Sequence, residues 1–145
     1  MRTLTYNISI AAPKQKVWDT LIDPETYKIW TGAAWPNSNY DGEWAEGKYL
    51  RFIGPDGSGT LAKLTTFKPY HIITAEHEAL LGPGSVEDRE SDMAKNWIGS
   101  IEQYEFAENG GVTQLTLTMK IGQQWADMFN TDWPIALAKL KEICE

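Results

Sequence analysis

Polar and apolar residues alternate along most of this chain. Every second residue between Thr3 and Ile10 is apolar, which predicts a strand with one buried face. The same period returns after residue 38, between clusters of glycine, proline and asparagine that are typical of turns. It predicts six more strands, over Asn39–Ala45, Lys48–Ile53, Thr60–Phe67, His71–Ala79, Trp97–Ala107 and Val112–Ile121.

Two short helices are predicted between the first strand and the second. One begins near Pro13, which suits a first helical turn because its missing N–H is not needed there. That helix ends by Ile22, because the residue before Pro24 is pushed out of the α region. Asp23 then caps a second helix that buries Trp30.

The last stretch of the chain, 123–145, predicts one long helix. Its large apolar side chains recur every three or four residues, so they share one face. They are Trp125, Met128, Phe129, Trp133, Leu137 and Leu140. Because the strands lie upstream, this face must pack on a sheet, where its rings either fill a core or line a hollow.

The segment between Leu80 and Asn96 breaks the strand pattern. It is polar, highly charged and longer than most connections, whose median length is about 4–6 residues. We expect either a flexible flap at a rim or a solvated insertion without a role. The element order is then β-α-α-β6-α, an α+β fold that we expect to form one domain over residues 1–145.

Composition narrows the function classes. A net charge of -7 argues against binding to nucleic acid or to an anionic membrane. The single cysteine, Cys144, rules out an intrachain disulfide, and no window approaches the ~18 apolar residues of a membrane span. The first residues also lack a signal-peptide pattern. We therefore expect a cytoplasmic protein.

Seven tryptophans indicate a core with wide gaps or a pocket with aromatic walls.

Several local patterns occur in a characteristic order along nearly the whole chain. They are Ile8-Ser9-Ile10-Ala11-Ala12-Pro13 with Val17-Trp18, Leu21-Ile22-Asp23-Pro24-Glu25 with Tyr27-Lys28-Ile29-Trp30, Gly42–Lys48, Gly59 with Lys68-Pro69, Gly111–Leu117, and Trp133 with Leu137, Leu140 and Lys141. In this order they resemble the helix-grip superfamily of START domains, Bet v 1 proteins and polyketide cyclases. The branch most similar to them is related to the C-terminal domain of the activator of Hsp90 ATPase. The 80–96 segment, Trp35, Trp97 and Trp125 depart from the branch's pattern.

The resemblance implies a curved sheet that wraps the C-terminal helix and encloses a cavity. We expect side chains from the helix, the last two strands and the second short helix to face this cavity. They are Trp125, Met128, Phe129, Trp133, Tyr104, Phe106, Leu117, Met119, Glu102 and Trp30. Among these, Glu102 is the one acid, and a register slip of one residue would turn it outward.

Two histidines and one glycine-rich turn are further candidates for chemistry. His71 and His77 fall on one face of a predicted strand, with Glu76 and Glu78 on the other, so we expect no compact metal site. One pocket histidine could still act as an acid or base. The run 54–59 has glycines at positions 1, 4 and 6 but no Lys-Ser/Thr after it and no helix, so we interpret it as a turn and expect no cofactor.

Three functions follow. The first is binding of a small hydrophobic or aromatic ligand, and the second is a cyclase or dehydratase that uses Glu102, Tyr104 or a histidine. The third is a protein-interaction module with a chaperone or other protein partner. Both a monomer and a homodimer stay open. A sealed core would exclude the first two functions, two converging titratable groups would favour the enzyme, and a flat exposed apolar patch would favour a protein partner.

Overall fold

A computed structural model describes all 145 residues of the chain. The chain has eight strands and four α-helices, and the α+β class is confirmed; one short strand and one short helix come in addition to the predicted order. The strands are β1 (Arg2–Ile10), β2 (Asn39–Gly42), β3 (Tyr49–Ile53), β4 (Gly59–Lys68), β5 (Ile72–Gly82), β6 (Val86–Asp88), β7 (Ile101–Asn109) and β8 (Val112–Ile121). The helices are α1 (Lys14–Ile22), α2 (Pro24–Gly32), α3 (Asp92–Trp97) and α4 (Ala126–Cys144).

The strands form one antiparallel sheet in the order β1-β8-β7-β5-β4-β3-β2, with the short β6 paired to β5. The chain runs as a meander from β2 to β5 and again through β7 and β8, and β1 closes the far edge. Two register shifts in the β4–β5 pair, at Leu61/Ala62 and Leu64/Thr66, mark bulges. Bulges bend a strand and increase its twist, which helps this sheet to curve.

Helix α4 lies in the curve of the sheet, and α1 and α2 close one end. The helix buries seven residues against the core, namely Ala126, Phe129, Trp133, Ala136, Leu137, Leu140 and Cys144. Its two ends are fastened to β1, since Tyr6 donates to Asn130 over 2.6 Å and Lys141 donates to the Ser9 carbonyl over 2.6 Å. The predicted helix-grip architecture is therefore confirmed.

The start of the last helix differs from the prediction. Residues Gln123–Trp125 form a 3-10 turn, and the α-helix begins at Ala126. Met128 lies at the border of the buried face and is 42% exposed, because Phe129 and Trp133 take the inward direction. The turn leaves Trp125 half-buried beside the sheet rather than within the helical stripe.

Asp23 caps α2 as predicted. Its carboxylate accepts hydrogen bonds from the backbone N–H groups of Glu25 and Thr26, at 3.0 and 3.2 Å. These are two of the N–H groups that a helix start leaves without partners. The indole of Trp30 is then fully buried and donates to the Leu21 carbonyl over 3.1 Å, which joins α2 to α1.

The segment 80–96 forms regular secondary structure rather than the expected loop. Strand β5 continues to Gly82, a 3-10 turn covers Pro83–Ser85, β6 pairs back onto β5, and α3 follows. The Gly84 N–H donates to the Asp56 carbonyl over 2.8 Å, and Ser85 donates to the Gly57 carbonyl over 3.0 Å. These two hydrogen bonds, one from the backbone and one from the Ser85 hydroxyl, join the segment to the β3–β4 hairpin. The segment therefore has a structural role that its polar composition hides.

Candidate functional site

A cavity of about 430 Å³ lies between the sheet and the first turns of α4. Its wall comes from α2 and the loop after it, the β3–β4 hairpin, the middle of β5, the end of α3, β7 and the start of α4. The most exposed wall residues are Pro36 and Met128, so the mouth lies between that loop and α4. Seven wall residues are aromatic: Tyr27, Trp35, Phe52, Trp97, Trp125, Phe129 and Trp133.

A line of polar groups crosses the inner part of this cavity. The Trp97 indole N–H donates to Thr60 Oγ1 over 2.6 Å, and Thr60 Oγ1 lies 2.9 Å from Nδ1 of His77. Nε2 of His77 lies 3.4 Å from Oε1 of Glu102, and Tyr104 donates to Oε2 of Glu102 over 2.6 Å. Side chains from α3, β4, β5 and β7 thus meet in one chain of contacts.

The hydrogen bonds of Thr60 bear on which nitrogen of the His77 ring carries the proton. Because Thr60 Oγ1 already accepts from Trp97, its own proton goes to His77 Nδ1 at 2.9 Å or to the Ala79 carbonyl at 3.2 Å. Nδ1 of His77 accepts this proton only in the tautomer that leaves Nδ1 unprotonated. A neutral ring then carries its proton on Nε2, the nitrogen that faces the carboxylate of Glu102.

Glu102 is only 12% exposed and has a single full hydrogen bond, the one from Tyr104. The contact with His77 is longer, and Nε2 of His77 makes no hydrogen bond. Burial and the adjacent carboxylate of Glu102 hold the pKa of Tyr104 well above its usual value. Burial, followed by the same carboxylate, also raises the pKa of Tyr27. Both phenols therefore stay neutral, and Tyr104 stays a donor to Glu102.

No group of three or more His, Cys, Asp or Glu side chains lies close enough together to hold a metal ion. His71 is in the turn before β5 and is exposed, so the expectation that both histidines share one strand face is wrong. The strand begins one residue later than the sequence pattern indicated, which leaves His77 alone at the cavity. None of the four α-helices combines the length and apolar content needed to cross a membrane.

The family model of the "Activator of Hsp90 ATPase homolog 1-like protein" matches residues 11–145. The chain belongs to this family. The match takes in both short helices, every strand from β2 onward and α4, and it confirms the resemblance drawn from the local patterns. No curated protein sequence matches the chain.

Solved structures share the fold of this family member. Protein MLL2253 from Mesorhizobium loti has a TM-score of 0.77 at 14% identity, over 97% of this chain and 95% of its own. The Aha1 dimer from Colwellia psychrerythraea has a TM-score of 0.76 at 21% identity, over 100% and 97%. CalU16 from Micromonospora echinospora has a TM-score of 0.73 at 17% identity, over 99% and 66%. At these identities the similarity shows the fold alone.

Half of the ten residues expected at the cavity lie on its wall. They are Glu102, Trp125, Met128, Phe129 and Trp133. Glu102 points inward, one of the two orientations that the sequence left open. A role of these five in binding a ligand is still a prediction.

The other five expected residues are not on the wall, and they are at most 5% exposed. Trp30, Phe106, Leu117 and Met119 fill the core behind the cavity, and we leave them out of the proposed ligand wall. Tyr104 is also buried, but it acts on the cavity through its hydrogen bond to Glu102. The inward face of a strand extends beyond the hollow, so facing inward does not place a residue at the cavity.

Sequence reasoning missed Thr60, Phe52 and Leu80, and it did not assign Trp35 or Trp97 to the site. One signal was available, since Trp35, Trp97 and Trp125 are the tryptophans that depart from the family's pattern, and all three line the cavity. Trp97 contacts His77 at a centroid distance of 4.7 Å and Trp125 at 5.3 Å. In this protein, a tryptophan outside the family's pattern indicated the cavity wall better than the inward face of a strand did.

Proposed function

We propose that the protein binds a small hydrophobic or aromatic molecule in the cavity between its sheet and α4. The observation that carries the proposal is the cavity itself, about 430 Å³ in volume with seven aromatic residues in its wall. Ligand pockets commonly measure ~300–1,000 Å³ and combine apolar walls with a few polar groups. A chain that needed only a stable core would gain by filling this space, because voids reduce stability.

The polar groups of the cavity support a ligand with a defined orientation. Glu102, His77 and Thr60 lie together on the strands, while the rings of Phe129 and Trp133 cover the helix side. A bound molecule would place its polar end at the strands and its apolar body among the rings. Apolar contacts would then supply most of the affinity, and the polar groups the selectivity.

A second candidate is an enzyme that moves a proton. It is favoured by the approach of two titratable side chains, His77 and Glu102, to 3.4 Å within the cavity. Two converging titratable groups are a feature expected of an enzyme, and a general acid or base needs such a position beside its substrate. Binding is the first proposal because it needs only the cavity, whereas catalysis also needs a substrate aligned with the pair.

A protein partner and a homodimer are further proposals. The family name refers to an activator of the Hsp90 ATPase, and the Colwellia structure is described as a dimer. Both would use surfaces outside the cavity. Sedimentation of the purified protein, alone and with the chaperone, would detect a homodimer or a chaperone complex independently of small-molecule binding.

The binding proposal is tested with the fluorescence of N-phenylnaphthylamine, a neutral aromatic probe, in wild type and in Leu80→Trp. Leu80 lines the cavity, so an indole there would occupy part of the space. We expect the affinity for the probe to fall on the order of tenfold or more. Placing the probe in the space that the indole leaves would overpack the cavity, and overpacking costs about 1–3 kcal/mol. Native mass spectrometry of protein from its own host would identify a bound molecule.

Ile135→Trp is the matched control, because Ile135 is 46% exposed on α4 and is not a wall residue. It adds an indole to the protein without adding one to the cavity, so it should bind the probe like wild type. Equal affinities of wild type and a folded Leu80→Trp variant would show that the probe binds elsewhere. No binding by wild type would remove the support for a ligand function.

A further inference from the structure

Glu102 is the one carboxylate on the cavity wall, and the wall contains neither lysine nor arginine. His77 is the one basic side chain on the wall, and no lysine or arginine forms an ion pair with Glu102 anywhere in the chain. A carboxylate taken out of water is costly unless it is paired or fully hydrogen-bonded. The arrangement therefore lacks the permanently charged partner, a lysine or an arginine, that a buried carboxylate usually has.

The hydrogen bonds of Glu102 are also incomplete. A carboxylate can accept about four, and this one accepts a full hydrogen bond from Tyr104 alone. Nε2 of His77 lies 3.4 Å from Oε1 without forming a hydrogen bond, although the imidazole is only 1% exposed. A neutral imidazole in this position offers a polar contact but no counter-charge. Oε1 is thus free to accept from a molecule in the cavity.

The aromatic rings of the same cavity wall suit a positive charge as well. The faces of tryptophan, tyrosine and phenylalanine attract cations, and tryptophan attracts them most strongly. Three tryptophans of the wall are linked through Phe129, since Trp97 contacts Trp125 and Phe129, and Phe129 contacts Trp133, at centroid distances of 5.3, 6.0 and 6.5 Å. The net charge of -7 would also draw cations toward the protein.

We propose that the cavity selects organic cations: small apolar molecules with one protonated amine that donates to Oε1 of Glu102. This inference rests on the proposed binding function and names the class of its ligand. The amine replaces the missing positive partner, and the apolar body lies among the aromatic rings. A neutral alcohol of the same shape could donate only a neutral hydrogen bond to Oε1, and an anion would be repelled by Glu102.

The test compares three ligands of one shape by calorimetry, at about pH 8, where an alkyl amine is protonated. They are naphthylmethylamine, naphthylmethanol and naphthoate, which are cationic, neutral and anionic. We expect the amine to bind wild type about tenfold or more tightly than the alcohol, because charge-assisted hydrogen bonds are about twice as strong as neutral ones. Naphthoate should bind more weakly than the alcohol.

Two variants test whether the preference for the amine depends on Glu102. Glu102→Gln keeps the shape of the side chain and removes its charge, so the amine should lose its tenfold advantage while the alcohol keeps its affinity within about threefold. Glu105→Gln removes the same charge from an exposed position on β7 and should keep the advantage. This control separates the local carboxylate from the overall charge of the protein.

Each outcome decides the inference. If the alcohol binds wild type as tightly as the amine, or if Glu102→Gln keeps the preference, the ligand class is wrong while binding in the cavity stands. If N-phenylnaphthylamine binds in the cavity but none of the three compounds does, the ligand class is wrong while the binding function stands; if the probe does not bind either, the proposed function fails together with the inference. The wild-type comparison does not depend on the folding of any variant.

Discussion

Gly59 is the residue at which the cavity wall tolerates the least change. It begins β4 opposite Ile53, and a Cβ atom built on it would lie 1.8 Å from the Phe52 carbonyl oxygen. A side chain there would push β3 away from β4. Since Phe52 and Thr60 both line the cavity next to this contact, the same displacement would disturb the site.

We predict that Gly59→Ala lowers the free energy of unfolding by about 1–3 kcal/mol, the usual cost of overpacking. Chemical denaturation measures the change. Gly54→Ala is the control within the same hairpin, because its new Cβ would come no closer than 3.8 Å to Ser58 and its backbone is not left-handed. That variant should be neutral or slightly more stable. Equal stabilities of the two variants would contradict the prediction.

At the scale of elements, α3 brings Trp97 to the cavity wall. Ser91 caps it by accepting from the Ala94 N–H over 3.1 Å, and Ser91 also donates to Asp88 over 2.6 Å. The helix has only six residues, so it depends on this cap and on the burial of Ala94 and Trp97. Through Trp97, the cap also positions Thr60 and His77.

We predict that Ser91→Ala lowers the free energy of unfolding by about 1 kcal/mol, a typical cost of losing a helix cap. Hydrogen exchange should show faster exchange in residues 92–97, with little change in β8. Ser91→Thr keeps a hydroxyl that can cap, so it should retain most of the protection. Unchanged exchange in α3 after Ser91→Ala would show that the burial of Trp97 suffices to hold this helix.

At the scale of the whole molecule, Glu145 joins the end of α4 to the end of β1. Its carboxylate accepts from the Ala11 N–H over 2.8 Å and from Lys141 over 2.6 Å, and Lys141 also reaches the Ser9 carbonyl. The Ala11 hydrogen bond and then Lys141 lower the pKa of Glu145. A lowered pKa in the folded state means that the unfolded state binds more protons as the pH falls.

We therefore predict that Glu145 contributes stability above its ordinary pKa, and that this contribution is lost as the pH falls through the lower folded value. Glu145→Gln should be less stable than wild type at about pH 6, and the difference should shrink toward about pH 3. Urea unfolding at both pH values measures it. Glu142→Gln, whose side chain pairs with Lys139, is the control. A difference that does not change with pH would contradict this role.

The site also shows where prediction from sequence ended. The two-residue period of β7 placed Glu102, Tyr104 and Phe106 on one face, and that face is the inner one. It could not separate Glu102, on the cavity wall, from Phe106, in the packed core, because both face inward. Whether an inward-facing residue lines the cavity or fills the core depends on which side chains pack opposite it in the layer of helices.

The sequence by itself determined seven of the eight strands, three of the four α-helices and their order, because turn residues and the periods of 2 and 3.6 act over a few neighbouring positions. It also determined the family, whose patterns are local. Only the tertiary structure decided the site. Thr60, His77, Trp97 and Glu102 come from different elements, and register, bulges and the packing of α3 bring them together. Such contacts join residues far apart in the chain, so no local pattern could show that a carboxylate here lacks a positive partner.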